Sequence, residues 1–131
     1  MKSRKQDPTG SFELYPDRIE TTLDAALSLP VAVLCVSGVI TLARKKGIPN
    51  VMVVASTLGR GRPSPSQAER FFCASQWAEA SRGCVRVALV IRPEMVDPSK
   101  FGTLVATNRG MAFAVFESEA EAREWLVGEC E

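Results

Sequence analysis

The sequence predicts a single α/β domain: a mostly parallel sheet of four to five strands in βαβαβαβα order, with helices packed against it. Three observations carry this. The runs "NVMVVAS" (50–56), "VRVALVI" (85–91) and "MAFAVF" (111–116) are apolar, rich in branched residues and continuous rather than alternating, as in strands covered on both faces. Helix-length segments with their own start signals separate and follow these runs, the pattern of βαβ units. A chain of 131 residues, 46% hydrophobic and 24% charged, suits one globular domain of common size.

The elements follow in chain order. Residues 1–10, "MKSRKQDPTG", offer no core-forming side chains and are expected to be a disordered tail, leaving 11–131 as the domain. One strand is expected ahead of the first helix, in "FELYP" or "RIETTL", anchored by Phe12, Leu14, Ile19 and Leu23. From Ala25 to Ala43 the chain carries no charge, and Arg44, Lys45 and Lys46 follow. That length and flank suit a membrane span, and "VAVLCV" and "VITLA" around Ser37-Gly38 suit a hairpin. A buried helix is the expected form: Ser28, Pro30, Ser37, Gly38 and Thr41 interrupt the run, its basic end complements a C-terminal dipole, and Gly47 suits a left-handed cap. Local propensity alone does not separate helix from hairpin.

The second helix begins within "GRGRPSPSQAER" (59–70). Ser64-Pro65-Ser66-Gln67 offers a serine cap, an early proline and a capping-box glutamine, and Ser66 with Glu69 offers an overlapping box. Asp97-Pro98 is expected to open the third helix and "ATNRG" to end it, with Gly110 as the cap. Ser118 with Glu121 starts the fourth, which turns Trp125 and Leu126 inward and sets Glu119 to pair with Arg123.

Composition excludes several function classes. Sixteen Lys and Arg against fifteen Asp and Glu leave a net charge of +1, so no bulk basic field draws in nucleic acid. There is no histidine, which removes Ser-His-Asp and Cys-His catalysis and histidine metal ligation. Cys35, Cys73, Cys84 and Cys130 form no CxxC pair, so neither a metal nor a cofactor is expected. With no cleavable leader in view, these thiols are expected to be reduced and buried, and the protein cytoplasmic.

"RVALVIRPEMVDPSKFGTLVATNRGMAFAVFESEAEAREWL", with its arginine-led strand, "NRG" helix end, "VF" strand and "WL" helix, resembles the C-terminal half of small uncharacterised bacterial proteins of the STAS superfamily. "RPSPSQAERFF" with "WAEA" is similar to their middle, and the likeness spans roughly residues 12–128, weakest before Gly47. The best known members are the bacterial anti-sigma-factor antagonists, in which a serine at the start of a helix is phosphorylated by a partner kinase. The resemblance implies that Ser66 holds that position. Ser64, Pro65 and Gln67 depart from the Asp-Ser-Ser-Gly element around it.

The chain is therefore expected to be a non-enzymatic regulatory or interaction module of STAS-like type, docking a protein partner or small ligand near the start of the second helix. The alternative is a small-molecule-binding protein, or an enzyme without histidine, using an anion-binding crevice built from Arg60, Arg62, Ser64 and Ser66 on one side and Asn108, Arg109 and Gly110 on the other. Ordinary helix capping explains Ser66, and a helix end explains Asn108 to Gly110. Phe71, Phe72 and Trp77 read as core with one exposed ring, and Glu117, Glu119, Glu121 and Glu124 as a solvated first turn rather than a catalytic pair. A homodimer is expected if the apolar first helix is only partly covered.

Overall fold

The computed structural model describes residues 3–7, 10–24, 26–56, 65–95 and 100–128. Its core is one six-stranded sheet whose spatial order is the chain order. Strands β1 (Ser3–Asp7), β2 (Gly10–Leu14) and β3 (Ile19–Leu23) form an antiparallel meander. Strands β4 (Asn50–Val54), β5 (Arg86–Val90) and β6 (Phe113–Phe116) continue from β3 in parallel. From β3 onward strands alternate with α1 (Leu29–Lys46), α2 (Gln67–Ser81), α3 (Phe101–Asn108) and α4 (Glu119–Gly128). The domain is α/β as expected, but its sheet is mixed and has six strands rather than four or five.

The difference lies in the N-terminal segment, where one strand is expected and three are present. Both "FELYP" and "RIETTL" contribute, joined by a turn in which the Tyr15 N–H donates to the Arg18 carbonyl at 2.9 Å across Pro16-Asp17. Proline followed by aspartate between two apolar runs is a turn signal with a clear cause, since proline presets φ and aspartate tolerates the second position. Residues 3–7, expected as tail, pair with β2 instead, with Asp7 opposite Gly10. An edge strand needs backbone partners more than core side chains, and a polar, charged sequence suits an edge that should not recruit other chains.

The uncharged run becomes α1, as the helix reading expects. Gly47 closes it at φ 73°, donating its N–H to the last-turn carbonyls, with Arg44, Lys45 and Lys46 in that turn. Buried Ala32, Val33, Val36, Ile40 and Ala43 recur at helical spacing against the sheet. Among the described residues no helix is long and apolar enough to cross a membrane. The second helix is capped by Ser66, with Glu69 completing the box. Gly110 takes φ 87° just past α3. The Glu121 N–H donates to Ser118 Oγ at 3.2 Å at the start of α4.

Sequential parallel strands with right-handed crossovers put every connecting helix on the same face. Thus α1, α2 and α3 share one face of the sheet, over Ile19, Leu23, Val51, Val53 and Val87. The fourth helix lies on the other face, where Ala122 and Leu126 meet Met52, Val54, Ala88 and Val90. Alternate residues of β4 and β5 therefore feed two cores, which is why these strands read as unbroken apolar runs.

Polar anchors fix the layers. The Trp77 indole N–H of α2 donates to the Val33 carbonyl of α1 at 3.0 Å, and Arg44 Nε donates to the Ala80 carbonyl at 2.9 Å. On the other face Arg86 lies with its guanidinium 4.5 Å from the Trp125 ring centroid. It donates to the Trp125 and Leu126 carbonyls at 2.9 and 3.0 Å, satisfying the open C-terminal end of α4. Glu20, only 7% exposed, accepts from Arg18 Nε at 2.6 Å and from Arg123 Nε and Nη2 at 2.9 and 3.2 Å, tying β3 to α4. Burial pushes its carboxyl pKa up, but the two guanidinium groups more than offset that and hold it below the usual carboxylate range. Arg123 also pairs with Glu119 at 3.1 Å, the contact that the helical spacing anticipates.

Candidate functional site

Arg60, Arg62 and Ser64 lie outside the described residues. Ser66 sits exposed at the N-cap of α2, where its Oγ accepts from the Glu69 N–H at 3.1 Å and its N–H donates to Glu69 Oε1 at 2.7 Å. Asn108 ends α3 and Arg109 is its C-cap, both exposed. The crevice expected between these two regions includes residues outside the described ones. A Cβ added at Gly83, beyond the C-terminus of α2, would lie 3.8 Å from the Gly110 carbonyl. Ser66 starts that 15-residue helix, roughly 22 Å away along its axis. The side chain of Arg109 reaches back toward the first turns of α2, with its guanidinium 5.5 Å from the Phe71 ring centroid.

Other sequence candidates also move. Trp77 is buried, but both Phe71 and Phe72 are exposed, at 45% and 37%, where one exposed ring is expected. Cys84 is exposed rather than buried, Cys35 and Cys73 are partly covered, and Cys130 lies outside the described residues. Among the described residues no group of His, Cys, Asp and Glu could hold a metal ion.

The structure offers a different site. A cavity of about 300 Å³ lies at the carboxyl ends of β3, β4 and β5, on the face covered by α1, α2 and α3. Open α/β sheets bind ligands at that end, because loops and helix N-termini gather there. Leu23, Leu89, Ile91 and Val115 come from the strands and their ends, and Leu29 and Val33 from the first turns of α1. Cys73, Ala74 and Trp77 come from α2, and Gly102 and Thr103 from α3. Trp77 packs edge-on against Phe113 with ring centroids 6.0 Å apart, forming a rigid aromatic wall.

Small residues open this space. Ala32, Ala55 and Ala74 supply short walls, and Gly102 of α3 adds another beside Arg70 of α2. Among the described residues three charged side chains line the space, Glu69, Arg70 and Lys100. Glu69 is engaged in the capping box, and Arg70 Nε donates to the Pro65 carbonyl at 3.1 Å. Burial pushes the Cys73 thiol up to about 12, so it stays protonated at neutral pH and lines the wall as an apolar group.

Comparison with family models, curated proteins and solved structures finds no match. The geometry itself thus bears the functional argument. Sequence reasoning could not find the cavity, because its lining is drawn from segments spread between Leu23 and Val115 and consists mostly of residues that look like core. The one legible hint was Trp77 and its neighbours on α2, read as core.

Proposed function

We propose that this chain is a non-enzymatic binding module of STAS-like type, acting in the cytoplasm, whose working site is the cavity at the carboxyl ends of its parallel strands. The observation that carries the reading is the cavity itself: about 300 Å³ of space with predominantly apolar walls at the binding end of an α/β sheet. Well-packed cores leave few voids larger than a water molecule. A space of this size is the volume of roughly ten waters, and apolar walls make water a poor occupant. A small apolar ligand fits both facts. Regulation follows if the occupied module presents α1, α2 and α3 differently to a protein partner, with Ser66 as the position at which phosphorylation would act. The outward Val31 and Leu34 of α1, 43% and 54% exposed, support a homodimer, which light scattering tests.

A catalytic role has less support. Among the described residues the lining titratable groups are a neutral thiol, a carboxylate committed to a helix cap and two cations, which do not form the acid and base pair that hydrolysis or proton transfer needs. The test uses Trp77 as the reporter. Trp125, the second of two tryptophans, lies in the opposite core, so Trp125→Phe leaves one indole in the cavity wall. Titration with 1-octanol should change its emission saturably. Ala74→Phe, which fills the space, should abolish that response; a linear, unsaturable change in both proteins would defeat the proposal.

A further inference from the structure

Accepting the cavity as the site, we infer that its ligand is an amphiphile with one anionic head, its apolar body in the cavity and its head at the mouth beside Lys100. The argument begins with a local conflict in the fold. An N-cap position normally holds Ser, Thr, Asp or Asn, whose oxygen accepts from the first N–H groups, and a helix N-terminus favours negative charge. At the N-cap of α3 stands Lys100, in the left-handed conformation at φ 55°, with no side-chain cap and no acidic residue in the first turn. It places an ammonium where the dipole favours a carboxylate. The same Lys100 is exposed and lines the cavity, so it stands where the apolar space meets water.

The neighbouring elements repeat the pattern. The first helix also starts beside the cavity, at Leu29, again with no side-chain cap bond and no first-turn acid. By contrast α2 is closed by Ser66 and Glu69, and α4, on the far face, begins with Ser118, Glu119 and Glu121. Among the described charged residues lining the cavity, Lys100 and Arg70 stand against Glu69 alone, and the Glu69 carboxylate is held by the Ser66 N–H. The described lining of the mouth is thus net positive. An anion beside Lys100 would meet its ammonium and the positive end of α3, resolving the conflict at the α3 N-cap. A cationic head would face the same groups with the wrong sign. A neutral head would leave them as they are.

The experiment compares ligands sharing one chain. Octanoate, octyl sulfate, 1-octanol and octylamine are titrated into the Trp125→Phe protein at low salt, with Trp77 emission as the readout. Octanoate, octyl sulfate or both should bind about three- to tenfold tighter than 1-octanol, the scale of one exposed ion pair assisted by helix dipoles, and octylamine should bind weaker than 1-octanol. Which anion is favoured separates a planar carboxylate head from a tetrahedral oxyanion. Lys100→Gln should bring the ratio of anion to alcohol affinity close to one. Raising the salt concentration in the unsubstituted Lys100 background should shrink the same ratio, which tests the point without relying on the variant. If 1-octanol binds as tightly as both anions, or octylamine binds best, the head-group inference is overturned while the cavity reading stands. If none of the four binds, both fall.

Discussion

Replacing Glu20 by glutamine removes a buried charge while keeping the shape of the side chain. Two guanidinium groups converge on this carboxylate through three hydrogen bonds, two of them to the same oxygen. Either orientation of the new amide turns an NH2 group toward at least one arginine donor. A hydrogen bond to a charged group contributes roughly 1.5–3 kcal/mol, and breaking a fully buried ion pair costs about 3–5 kcal/mol. The side chain of Arg18 is 20% exposed and that of Arg123 42%, so both rehydrate in part and the Arg123 contact is discounted toward a surface pair. The expected loss for Glu20→Gln at neutral pH is therefore about 2 kcal/mol. With an ordinary urea dependence this is a fall of roughly 1 M in the unfolding midpoint.

The sign of its pH dependence follows from the depressed carboxyl. A group whose folded value lies below its ordinary 4.5 adds stability that is fully present above 4.5 and is lost as pH falls through the folded value. Urea unfolding followed by circular dichroism at several pH values should show the two proteins well separated near neutrality and converging in acid. A gap that stays constant with pH, or no gap at neutrality, would refute the claim that the ionised Glu20 holds α4 to β3.

Three further outcomes are expected from single changes. Ser66→Ala should lower stability by about 1 kcal/mol in thermal denaturation, whereas Ser66→Asp, which also accepts from the Glu69 N–H, should be close to neutral. Arg86→Met keeps the aliphatic stem but removes both donors to the end of α4 and the stacking on Trp125; it should cost roughly 1.5–3 kcal/mol, with faster amide exchange in the last turn of that helix. Glycines at two positions of the same helix should respond with opposite signs. Gly47→Ala should destabilise by about 1 kcal/mol because φ is 73° there, and Gly38→Ala, where a Cβ meets nothing within 4 Å, should stabilise by about 0.5–1 kcal/mol, both read by urea unfolding.

Much of the architecture is legible in the sequence wherever local chemistry and global packing agree. The strands β4 and β5 announce themselves as continuous apolar runs because both of their faces are covered, the box at Ser66 forms both of its bonds, and at Ser118 the hydroxyl accepts from the Glu121 N–H. The nineteen uncharged residues are ambiguous until their end is weighed, and there Gly47 and the three preceding cations favour a helix. The N-terminal meander is harder to see. Strand β2 sets Phe12 and Leu14 against the core, but β1, "SRKQD", has no apolar residue and pairs through its backbone, about which hydrophobic pattern is silent. For the step from β2 to β3 the signal is the turn pair Pro16-Asp17 rather than apolar spacing.

The site was almost illegible, for a related reason. Eye-catching residues such as Arg60 and Arg62 are conspicuous because they are polar and clustered in sequence, whereas the cavity is assembled from Leu23, Ala74, Trp77, Leu89 and Val115, far apart in the chain and ordinary in character. Nothing in a core-like alanine says that space rather than a neighbour lies beyond it. Only Lys100, a cation where a helix start calls for an oxygen, breaks a local rule visibly enough to be noticed, and that rule needs the helix boundary to be known first.

A methyl-resolved NMR titration with 1-octanol tests most directly whether the cavity is the binding site. Saturable shifts confined to the methyl groups of Leu23, Leu29, Ala74, Leu89 and Val115, with Ala122 and Leu126 across the sheet unmoved, are the result expected of a ligand held between the sheet and its three covering helices. Shifts that never saturate, or that fall on Ala122 and Leu126 instead, would contradict it.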